Sequence, residues 1–74
     1  MSVVRILIWN LADSKTTLDE LREHLPELMD GSRWISHGDE RFGLIAFGDE
    51  FPDLGEVPRL IGEEPVIAEE FDVE

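Results

Sequence analysis

The amino-acid sequence predicts an α+β sandwich: a four-stranded antiparallel sheet with two helices on one face. Three observations lead there. Short β-branched, apolar runs recur at residues 3–11, 32–37, 41–47 and 65–71. A leucine stripe at helical spacing, opened by a capping box, lies between the first two runs. A glycine-containing polar link joins the second run to the third.

Each element has a local cause. Residues 3–11 (VVRILIWNL) are apolar at nearly every position, as a buried central strand is. Residues 12–16 are polar and turn the chain. Thr17 and Glu20 form a capping box, and Leu18, Leu21, Leu25 and Leu28 follow at spacings of three and four, so a helix is predicted over residues 17–29. Pro26 cannot donate its backbone bond and restricts Leu25, which kinks or ends that helix. Trp34 and Ile35 mark a strand at residues 32–37, Gly38 and Asp39 a hairpin turn, and residues 41–47 (RFGLIAF) the return strand. Residues 51–62 hold two prolines and Gly55, so only a short helix fits, with Pro58 in its first turn and Leu54, Val57, Leu60 and Ile61 facing inward. Pro65 and the neighbouring charges make residues 65–71 (PVIAEEF) an edge strand. The order is βαββαβ, the ferredoxin-like arrangement.

Seventy-four residues make one domain, residues 1–74, with a small core. There are no cysteines, which excludes disulfides and thiolate metal sites and suits a reducing cytoplasm. The longest apolar run is too short to span a membrane, and no basic n-region or cleavage pattern opens the chain, so neither a membrane span nor a signal peptide is expected. The expected location is the cytoplasm, that of the host cell if the chain is phage-encoded.

Eighteen acids face six bases, for a net charge of −12. Residues 49–74 carry ten of the acids and a single base, Arg59. The hydrophobic share of 42% and its periodicity argue for a folded chain rather than a disordered one. One lysine against five arginines also suits salt adaptation or a GC-rich genome, but adaptation does not by itself load the last third of a chain. A one-sided field steers a basic partner.

Residues 6–11 (ILIWNL) resemble the first-strand hexapeptide of the RNA-recognition motif, and residues 40–47 (ERFGLIAF) its third-strand octapeptide. The resemblance implies the same topology. It also implies that Leu7, Phe42 and Leu44 occupy the positions where that family projects base-stacking rings. Only Phe42 is aromatic, Glu40 replaces the basic opening residue, and the net charge repels phosphate, so direct nucleic-acid binding is not expected. Residues 36–46 and 65–70 resemble the hairpin and last strand of subtilisin propeptides and their inhibitor relatives. That resemblance implies a protease inhibitor with residues 71–74 in the cleft. In size and charge alone the chain is similar to small acidic phage inhibitors of nucleic-acid-binding machines, the anti-CRISPR and DNA-mimic proteins.

No catalytic set, cofactor site or metal site is expected. His24 and His37 have no sequence reason to converge, and Ser36, His37 and Asp39 are only local neighbours. Asp49, Glu50, Asp53 and Glu56 lack the ligand alternation and central glycine of a calcium loop. The candidate partner-binding surface is therefore acidic: Asp49, Glu50, Asp53, Glu56, Glu63, Glu64, Glu69, Glu70, Asp72 and Glu74. Its expected partner is a basic, nucleic-acid-binding protein. If the strands alternate as in the RNA-recognition motif, Val4, Ile6 and Ile8 face the helices. Leu7, Trp9, Phe42 and Leu44 then form an exposed patch for a partner, a homodimer or an assembly. The alternative is that Trp9 and Trp34 are core.

Overall fold

The computed structural model describes residues 3–28, 31–48 and 52–74. Within them run β1 (Val3–Asn10), α1 (Leu18–Arg22), β2 (Arg33–His37), β3 (Arg41–Phe47), α2 (Val57–Ile61) and β4 (Ile67–Asp72). The sheet order is β2-β3-β1-β4, and every neighbouring pair is antiparallel. This is the ferredoxin-like βαββαβ sandwich, with β1 central and β4 at an edge, as the sequence predicts.

The predicted helix over residues 17–29 is much shorter. Thr17 Oγ1 accepts from the Glu20 backbone N–H at 3.2 Å, so the cap forms. The Glu20 carboxylate turns instead to the Thr16 hydroxyl at 3.1 Å. The helix ends at Arg22. Pro26 explains the stop: in a continued helix its ring would crowd the Arg22 carbonyl four residues back, and it has no N–H to donate there. Residues 25–28 continue as irregular chain, and the Pro26 carbonyl accepts from Trp34 Nε1 at 3.0 Å. Residue 29 lies outside the described residues. α2 is a single closed turn: Pro58 stands in its first turn, and Gly62 ends it at φ 74°, with its N–H donating to the Pro58 carbonyl at 2.9 Å.

The faces of the sheet are inverted relative to the expected alternation. Trp9 and Phe42 are each 2% exposed and Leu44 is 0% exposed; Leu7 is half-buried against the same core. These four do not form an open patch. They lie under the helices, where Trp9, Leu11 and Phe42 pack with Leu18 and Leu21 of α1 and Val57 and Ile61 of α2. Trp34 stacks on Phe42 with ring centroids 5.4 Å apart, so both tryptophans belong to this layer. The cause is bulk. Two five-residue helices bring few side chains to the core, and large rings from the sheet fill the space between the layers. Val4, Ile6 and Ile8 take the other face.

Gly43 fixes the contact between the two central strands. A β-carbon there would lie 2.0 Å from the Leu7 carbonyl oxygen, so no other residue fits the present separation of β1 and β3. At the far end of β3, the buried Ser32 Oγ accepts from the Phe47 N–H at 2.9 Å.

Candidate interaction surfaces

The acids predicted as one surface divide between two. Strand alternation sends Glu69 to the open face of the sheet, in register with Ile6, and sends Glu70 and Asp72 to the helix side. Glu70 is engaged there by Arg5, whose Nε donates to it at 3.0 Å. Asp53 and Glu56 lead into α2, while Glu63 and Glu64 leave it. Glu56 pairs with Arg59 and lies 3.9 Å from His24 Nδ1. Glu74 follows β4 and is exposed. Asp49 and Glu50 lie outside the described residues.

The helix layer gains acids that the count over residues 49–74 leaves out. Leu18 and Leu21 point into the core, so Asp19, Glu20, Glu23 and Glu27 are exposed on the outer side of α1 and the segment after it. The His24–Glu56 approach and the position of Gly55 beside Pro26 bring this segment against the start of α2. Carboxylates from both halves of the sequence thus share the helix-bearing side. The leucine spacing over residues 18–25 carried that signal: if the leucines face in, the acids between them face out.

The open sheet face is apolar and uncovered among the described residues. Strand register sets its rows. Ile35, Gly43, Ile8 and Ile67 lie in one row across β2, β3, β1 and β4, and Arg33, Ile45, Ile6 and Glu69 in the next. Phe47, Val4 and Phe71 form a third. Ile67 and Phe71 remain 41% and 46% exposed, large values for such side chains in a highly charged protein. Among the described residues the face holds one carboxylate, Glu69, against two guanidinium groups, Arg33 and Arg41. A hollow of about 290 Å³ opens on this face between Ile8, Ile35, Gly43 and Ile67, and the Ile8 side chain leans over Gly43.

The histidines do not converge: His24 faces Glu56 on the helix side, and His37 ends β2 beside Arg41. Among the described residues no group of three His, Asp or Glu side chains is placed to hold a metal ion. Among the same residues no helix is long and apolar enough to cross a membrane. No protein-family model matches the chain, and no curated protein matches it significantly.

Proposed function

We propose that the chain is a non-catalytic inhibitory or regulatory binding protein whose acidic surface occupies a basic, nucleic-acid-binding site on a partner protein. An anti-CRISPR-like role is the most specific form of this reading. The observation that supports it is the segregation of charge. The helix-bearing side collects carboxylates from α1, the segments flanking α2, and β4, while among the described residues the open sheet face carries only Glu69. Like charges gathered on one side repel and destabilise a small domain, and that repulsion is relieved when a basic surface docks.

Carboxylates held on a rigid layer replace phosphates against lysine and arginine, and the resulting attraction weakens with salt. Glu23, Glu27, Glu63 and Glu64 are exposed and suited to this role. Glu56 and Glu70 already pair within the chain and contribute less. The test is affinity capture of the partner from the source cells, followed by binding of two variants. Reversing Glu23, Glu27, Glu63 and Glu64 to lysine should weaken binding at least about a hundredfold. Reversing Asp39 and Glu40, in the hairpin turn, should change it less than about threefold. Equal losses from both sets would reject a defined acidic docking surface.

A further inference from the structure

We propose that the open sheet face is a self-association surface, closed by a second copy of this chain related by a two-fold axis that runs parallel to the strands, between β3 and β1. The proposal rests on the sheet register, not on the acidic helix side, and stands or falls separately from the function above.

The register makes the face self-complementary. A two-fold axis along the strands places β2 opposite β4 of the second copy, and β3 opposite β1. In the row Arg33–Ile45–Ile6–Glu69, each Arg33 then meets Glu69 of the other copy, and Ile45 meets Ile6. In the row Ile35–Gly43–Ile8–Ile67, Ile35 meets Ile67, and Ile8 of each copy lies opposite Gly43 of the other, at the hollow that this row lines. Apolar side chains meet along both rows, and two ion pairs close the ends of one row. An axis perpendicular to the strands would stack β2 on β2 and β4 on β4, bringing Arg33 of both copies to one edge and Glu69 of both to the other. The charges therefore select the first arrangement.

The composition of the face fits the same occupant. In a chain of net charge −12, one carboxylate on a whole sheet face is a depletion of the kind found at interface cores. Four strands at ~4.8 Å spacing and about six residues of length give a footprint of roughly 400 Å² per copy in projection. The total of roughly 800 Å² is below the ~1,200–2,000 Å² of stable specific interfaces, so the dimer is expected to be weak and transient rather than obligate. The total charge repels between copies, so added salt should tighten the dimer, whereas it should weaken the binding of a basic partner. In the dimer both acidic helical layers point outward, so one particle presents two of them.

The test is sedimentation equilibrium over roughly 1–500 μM protein, with a charge exchange between the two edges. Arg33 and Glu69 are separated by three strand spacings, roughly 14 Å, within one chain and cannot pair there. Both are exposed, and Arg33 Nη1 donates to the carbonyl of its own neighbour Ser32, so folding should survive the changes. The expected result is a reversible monomer–dimer equilibrium. Arg33→Glu or Glu69→Arg alone should weaken it at least about tenfold, and the two together should restore it to within about threefold. Rescue of that kind reports a contact between copies. A monomer at every concentration overturns the proposal. So does a dimer indifferent to either reversal, or a double variant weaker than both singles.

Discussion

Replacing Phe42 with alanine separates the two ways the sheet can face. Phe42 is 2% exposed, stacks on Trp34 and packs in the same cluster as Trp9, Leu21 and Val57. Truncating such a ring removes its burial, leaves a cavity that rigid neighbours only partly fill, and breaks the aromatic pair. Together these cost about 3–5 kcal/mol. A 74-residue domain holds only roughly 4–11 kcal/mol in total, so the variant should be marginally folded at best. Ile6 is the matched control. It lies on the open face, and Ile6→Thr keeps the β-branched strand preference, so it should cost about 1 kcal/mol or less. Urea denaturation followed by fluorescence of Trp9 and Trp34 reads both, at a concentration low enough to keep the chain monomeric. A Phe42→Ala loss under about 1 kcal/mol, or an Ile6→Thr loss larger than it, would refute the assignment of the faces.

Further outcomes follow from other contacts. Gly43→Ala places a β-carbon 2.0 Å from the Leu7 carbonyl, so β1 and β3 must separate; a loss above about 2 kcal/mol in the same denaturation assay is expected. Ser32→Ala leaves the Phe47 N–H at the end of β3 without its acceptor and should cost about 1–3 kcal/mol, with faster hydrogen exchange at that amide. If the acidity serves binding, circular dichroism should show a folded chain at about 10 mM salt; unfolding below molar salt would assign the charge to salt adaptation instead.

The parts of the fold legible in the sequence were those with a local cause. The bounds of β3 coincide with residues 41–47, the Thr17 cap forms, and the helix around Pro58 is short. The length of α1 was legible only in part: its leucine spacing runs past Pro26, but the proline's clash acts four residues upstream and stops the helix at Arg22. The choice of sheet face was not legible from polarity, because β1 is apolar on both faces and a period of two has nothing to distinguish. Size would have distinguished them. The face with Trp9, Phe42, Leu44 and Trp34 carries both tryptophans and the bulk that two short helices need as packing, and the centre of the other is isoleucine around Gly43, with Phe47 and Phe71 only at its end. The acidic surface was read by position along the chain. Glu69 and Glu70 are neighbours there but face opposite sides of β4, and the acids of the first helical segment join those flanking α2 only in space.

The central claim is that the acidic helical side takes the place of nucleic acid on a basic partner. A competition titration tests it most directly: labelled nucleic acid bound to the captured partner, displaced by this protein and followed by fluorescence anisotropy at several salt concentrations. The expected result is complete displacement, with a midpoint that rises with salt. The Glu23, Glu27, Glu63 and Glu64 reversal should fail to displace, and the Arg33–Glu69 exchange should displace as well as the unaltered chain. Partner, protein and nucleic acid bound together without displacement, or displacement by the reversal variant at the unaltered midpoint, would contradict it.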